Sequence, residues 1–123
     1  MARAILWHNP ACSKSRKALE LLNGTDATIT LREYLKQPPT LSELRELAKK
    51  LAVPAADFTR QTEPEWPLPA GASDAEVLET VVSQPGLLQR PILELHDAAV
   101  VGRPPEAVID LLEARRGTNG RAG

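Results

Sequence analysis

The sequence predicts a single α/β domain: a four-stranded mixed sheet flanked by helices, with a helical insertion between a βαβ half and a ββα half. Two observations carry that expectation. A short apolar run, a helical pattern and a β-branched run follow one another within the first 32 residues. Two further apolar runs and a final helical pattern close the chain. With 123 residues, it can bury one real core but not two.

Ala4–Trp7 (AILW) is apolar and bounded by a proline turn, so it reads as a buried strand. Pro10 has no amide to donate and restricts its predecessor, which breaks the run at HNPA. From Ser13 the apolar residues fall at helical spacing (Ala18, Leu19, Leu21, Leu22), and Asn23-Gly24 closes the helix. Ala27–Leu31 (ATITL) is rich in β-branched residues and reads as a second strand. Strand, helix and strand in this order suggest a βαβ unit with a right-handed crossover.

Thr40 and Glu43 form a capping box, and Leu41, Leu44, Leu47, Ala48 and Leu51 mark one helical face behind it. Residues 53–60 read as a short helical turn, and 62–71, with three prolines, as a loop. A second capping box, Ser73 with Glu76, opens a helix to about Ser83. Pro91–Leu95 and Ala98–Gly102 flank His96-Asp97 as a hairpin. Pro104 and Pro105 suit the first turn of the last helix. The domain is expected over residues 1–114, with a flexible Gly-rich tail over 115–123.

Composition narrows the function. The 15 basic and 16 acidic residues leave a net charge of −1, which offers no broad footprint for nucleic acid or an anionic membrane. No apolar run approaches the roughly 20 residues of a membrane span. The N-terminus lacks a secretory pattern, and one cysteine excludes an internal disulfide, so a cytoplasmic location is expected. A metal site is not expected, because His8 and Cys12 have only His96 as a further nitrogen ligand.

Cys12 is the candidate nucleophile. A lone cysteine is often only a core residue, but this one lies between a strand and a helix, at or beside the N-cap. Unpaired helix amides and the positive end of the dipole stabilise a thiolate there, and Lys14 and Arg16 add positive charge. A phosphatase loop would need Arg at position 18, which is Ala18; a dithiol motif would need Cys at 15, which is Ser15. Any redox cycle must therefore draw its resolving thiol from outside the chain.

The stretch HNPACSKSR resembles the active-site loop of the glutaredoxin-coupled arsenate reductases, the ArsC family. LREYLKQPPT is similar to that family's second strand and double-proline turn. FTRQTEPEW, QRPIL and VVGRPPEAVIDLL are similar to its three later arginine-bearing segments. The likeness spans about residues 3–112. CSKSR and GRPPE resemble in particular a housekeeping branch of the family, and Lys14 departs from the smaller neutral residue of the arsenate enzymes.

The resemblance implies a thioredoxin-like fold and reduction of arsenate to arsenite. Cys12 would attack arsenic, glutathione would add as external reductant with no bound cofactor, and glutaredoxin would resolve the adduct. It further implies that Arg60, Arg90 and Arg103 bind the oxyanion and that His8, Asn9 and Ser15 support the loop. Pro91 becomes a candidate cis-proline facing the cysteine. A monomer is expected. Two alternatives stay open: a glutathione-linked thiol oxidoreductase with another substrate, and an Spx-like regulator that docks on RNA polymerase. Spx-type regulators usually carry Cys-x-x-Cys, against which Ser15 argues.

Overall fold

In a computed structural model, residues 3–115 are described in full. The expected tail over 115–123 lies, beyond Arg115, outside them. The chain runs β1 (Arg3–Trp7), α1 (Ser13–Asn23), β2 (Thr28–Arg32), α2 (Leu41–Leu51), α3 (Asp74–Ser83), β3 (Ile92–Glu94), β4 (Ala99–Val101) and α4 (Ala107–Ala122). Short 3-10 turns occupy Ala55–Phe58 and Pro85–Leu87. The sheet order is β2-β1-β3-β4. β1 and β2 pair parallel, with Ile5 opposite Thr30, whereas β3 is antiparallel to both β1 and β4. This is the expected four-stranded mixed sheet.

Alternation along the strands divides the core between two faces. Ala4, Leu6, Leu93 and Val100 join Ala18 and Leu22 of α1 and Val108 and Leu112 of α4. Trp7, Ile92 and Ala99 turn the other way, toward Leu44, Leu47 and Leu51 of α2 and Val77, Leu78 and Val81 of α3. Strand side chains point to opposite faces in turn, so a sheet covered on both sides needs apolar residues at consecutive positions. Leu6 and Trp7 meet that need, one on each face, whereas Ile5, expected to be buried with them, stays 38% exposed. Each fully buried leucine contributes about 2 kcal/mol. The partly exposed Arg32–Glu43 pair contributes about 1 kcal/mol at most. Apolar burial therefore outweighs surface ion pairing.

Both capping boxes form: the Thr40 and Ser73 side chains accept from the Glu43 and Glu76 amides, and each glutamate answers to the cap's own amide. Gly24 follows α1 in ordinary right-handed conformation (φ −79°) rather than the left-handed form that C-terminal glycines often adopt. The prolines before α4 sit one step earlier than expected. Helix α4 starts at Ala107, and the carbonyls of Pro104 and Pro105 accept from the amides of Ala107 and Val108, so the prolines form a lead-in turn.

Gly102 links β4 to that turn, and its amide donates to the Pro91 carbonyl at 2.8 Å. A Cβ there would lie 2.8 Å from Pro91 Cγ and 3.1 Å from Val108 Cγ1. Ring and helix would both have to give way. Gly102→Ala should therefore lower stability by about 1–3 kcal/mol. A denaturant midpoint equal to that of the wild type would sink this account.

Among the described residues no helix is long and apolar enough to cross a membrane.

Candidate active site

The loop after β1 is built by its own polar groups. Asn9 Oδ1 accepts from the Ala11 amide at 3.0 Å, and the Asn9 carbonyl accepts from the Cys12 amide at 2.9 Å. This folds HNPA into a tight turn. Ser15 is fully buried one turn into α1, and its hydroxyl accepts from the Asn9 amide at 3.3 Å. Arg16 ties the loop from outside through the Pro10 carbonyl, 2.9 Å away. Cys12 is thereby fixed as the N-cap residue of α1, in extended conformation and partly exposed.

No side-chain hydrogen bond from neutral Cys12 caps the helix; the environment favours the thiolate instead. Burial pushes the thiol up. Against it, the Ser15 amide, the Arg90 guanidinium, the Lys14 amide and the Ser15 hydroxyl together bring Cys12 from 9.0 down to about 7. These are donors that a thiolate accepts from and a thiol does not need. The thiolate is thus accessible at neutral pH, where an unperturbed thiol stays protonated.

His8 lies behind the loop, almost fully buried, with Nδ1 unpartnered. Burial lowers its pKa, with Glu33 opposing and Arg16 assisting, so its imidazole is neutral at neutral pH. It supplies shape and a backbone tie, its amide donating to the Arg32 carbonyl at 2.9 Å.

The three arginines come from three different segments, and of them Arg90 is the one that acts on Cys12. Arg90 lies close enough to Cys12 for its guanidinium to favour the thiolate, and it precedes Pro91 through a cis peptide. Arg103 precedes a second cis proline, Pro104, and its Nε donates to the Arg90 carbonyl at 3.0 Å. Arg60 arrives through a pairing outside the main sheet: Thr59 bridges Leu88, the Arg60 amide donates to the Leu87 carbonyl, and the Gln89 amide to that of Phe58. Its guanidinium is paired with Glu63. Arg60 and Arg90 line one pocket of about 340 Å³ together with Asn9, Leu35, Glu63 and Glu65.

Tyr34, which the sequence reading left aside, completes the cluster. It follows β2 and is wholly buried, its hydroxyl has no partner, and it feels the charges of Arg90, Cys12, Arg60 and Arg103. All four lie near enough to act on the charge of this hydroxyl. The available signal was positional: Tyr34 stands just past the end of a strand parallel to the one that delivers the cysteine, where ligands gather in α/β sheets.

A thioredoxin-like frame with one cysteine at a helix N-terminus, arginines close by and no second thiol defines a monothiol class of that fold. The family relationship is specific. The ArsC family model matches residues 69–111. An arsenate reductase of Haemophilus influenzae is 34% identical over 113 residues, covering 88% of this chain and 97% of that one. An uncharacterised protein from the glnII region of Streptomyces viridochromogenes is 40% identical over 116 residues, covering 87% and 97%. Among solved structures, an arsenate reductase from Vibrio cholerae superposes with a TM-score of 0.83 at 30% identity, covering 89% of this chain and 97% of its own. The chain belongs to the ArsC family.

Proposed function

We propose that the protein is a glutathione-linked arsenate reductase with Cys12 as nucleophile and Arg60, Arg90 and Arg103 as oxyanion ligands. What supports this reading is the Arg90 guanidinium beside Cys12, at a helix N-terminus whose amides also favour the thiolate. A thiolate approaching an anion is repelled, and guanidiniums offset that repulsion while holding the oxygens through paired N–H donors.

In the first step the Cys12 sulfur bonds to As(V) and one arsenate oxygen leaves as hydroxide, taking a proton to become water. The thiol of glutathione then displaces a second oxygen as water. A thiolate of glutaredoxin attacks the glutathione sulfur, forming a mixed disulfide and leaving the electron pair on arsenic, now As(III). Water cleaves the remaining S–As bond, releasing arsenite and Cys12. A second glutathione clears glutaredoxin, so arsenic acid and two glutathiones give arsenous acid, glutathione disulfide and water.

The pocket is larger than a tetrahedral oxyanion requires. Its paired Arg60 and Glu63, with Glu65 beside them, offer charges of both signs to a zwitterionic thiol.

The test is arsenate-dependent NADPH oxidation in the presence of glutathione, glutaredoxin and glutathione reductase, with Cys12→Ser alongside. Turnover in the wild type that falls to background in the variant is expected. A wild-type chain that alkylates rapidly at neutral pH but never turns over arsenate would remove arsenate as substrate. The thiol oxidoreductase reading would then take its place.

A further inference from the structure

We infer that Glu63 sets the specificity of the oxyanion pocket. Its carboxylate accepts a hydrogen bond from a protonated oxygen of the bound anion, so the site selects oxyanions that carry a hydroxyl. The inference rests on the oxyanion reading of the Cys12 site and adds to it a means of discrimination.

A carboxylate is out of keeping with an anion pocket. Glu63 lines the cavity of about 340 Å³ together with Arg60, Arg90 and Asn9, and Asn9 belongs to the loop that holds Cys12. An ionised carboxylate has only acceptors. Before a fully deprotonated oxyanion it sets acceptor against acceptor and negative charge against negative charge. The contact turns favourable only when the anion supplies a proton.

The fold holds the carboxylate at this wall. The Arg60 amide donates to the Leu87 carbonyl at 2.7 Å, and Thr59 bridges Leu88. The Glu63 amide donates back to the Arg60 carbonyl at 3.2 Å, and the Trp66 amide to the Glu63 carbonyl at 3.0 Å. Trp66 in turn packs against the core. These turns set Glu63 beside Arg60, where the two side chains pair, each 28% exposed. Both are therefore open to a ligand.

The two arginines of the pocket are unequal. Arg60 is paired with Glu63, whereas Arg90 has no carboxylate partner among the described residues. Arg90 is the cation free to meet an anion's charge. An anion that also takes Arg60 displaces Glu63, whose backbone stays anchored beside it. If the anion has a hydroxyl, the carboxylate exchanges one donor for another. If it has none, the carboxylate loses its donor and gains a repulsion.

Arsenate and phosphate keep at least one hydroxyl at neutral pH, and sulfate keeps none. All three are tetrahedral and similar in size, so shape separates them poorly. A site built to bond a hydroxyl rejects the analogue that lacks it, because the site's own polar group is left unpaired.

The chain has one cysteine, so alkylation by iodoacetamide reads a single thiol. We would measure its protection by arsenate, phosphate and sulfate at neutral pH and constant ionic strength, without a thiol reductant. Phosphate should protect the wild type at a concentration about tenfold or more below that of sulfate. In Glu63→Gln, whose amide can donate to an unprotonated oxygen, sulfate should improve until the gap is about threefold or less. A residue that only braced the loop would move both anions together.

A charge-matched pair on the wild type decides the matter should Glu63→Gln fail to fold. Methylphosphonate, mainly a monoanion with one hydroxyl at neutral pH, should protect better than methanesulfonate, a monoanion with none. Phosphate no better than sulfate in the wild type, a gap unchanged in folded Glu63→Gln, or methylphosphonate no better than methanesulfonate would overturn the inference. Protection by arsenate would still stand in each case. A wild-type Cys12 that no arsenate concentration protects would overturn the oxyanion reading as well.

Discussion

Alkylation of Cys12 should follow a titration curve centred near pH 7, well below the 9.0 of an unperturbed thiol. At pH 6 the rate should fall to roughly a tenth of its plateau, because only the thiolate reacts. The charged contribution to this poise comes from Arg90, whereas Lys14 acts through its amide and Ser15 through its amide and its hydroxyl. Arg90→Gln should therefore move the curve upward, and a midpoint of about 8 would slow the reaction at neutral pH roughly fivefold. The same thiol links pH to stability. Folding depresses its pKa, so the thiolate stabilises the fold above the unfolded value, and that contribution falls away as pH drops through about 7. An Arg90→Gln curve superimposable on that of the wild type would show that the helix end alone sets the thiolate.

The second large effect separates the arginines from one another. Arg90→Gln should lower kcat/KM for arsenate by about 100-fold or more, the loss typical of a donor aimed at developing oxyanion charge. It acts twice, on the nucleophile and on the anion. Arg60→Gln should cost less, about tenfold, and should leave the alkylation curve of Cys12 unchanged. Its guanidinium is paired with Glu63 in the free protein. An incoming anion must displace that carboxylate, and the lost ion pair offsets part of what Arg60 gains. Equal losses in both variants, or a shifted thiol curve in Arg60→Gln, would contradict this division of labour. Steady-state kinetics and the iodoacetamide profile, measured on the same preparations, check it.

Most of the frame is legible in the sequence because its signals are local. The two capping boxes mark the starts of α2 and α3, since side chain and amide lie three residues apart and need no tertiary partner. The β1 run, the Pro10 break and the helical spacing beyond it place Cys12 at a helix end, and the helix end is what activates it. Where a neighbour in space decides, sequence reading slips. Pro104 and Pro105 fit a first helical turn equally well, but the Gly102 amide is bonded to the Pro91 carbonyl just before them and the helix starts only at Ala107.

The site divides along the same line. Cys12, Asn9 and Ser15 fall within seven consecutive residues, and their mutual hydrogen bonds follow from that proximity. Arg60 gives no sign of its partners in its own surroundings; a bridge between Thr59 and Leu88, outside the main sheet, carries it to Arg90. Tyr34 reads as an ordinary residue before a proline turn, and only the packed core shows its hydroxyl buried, unpartnered and ringed by charge.

The sequence by itself determined the element order, the mixed sheet's composition, the helix starts and the position of one reactive cysteine, all set by spacing and backbone chemistry within a few residues. Only the tertiary structure decided which cation lies beside that cysteine, that Arg60 is already paired with Glu63, and that the Tyr34 hydroxyl is buried without a partner. Such contacts join residues far apart in the chain, and nothing in their local sequence records the space they come to share.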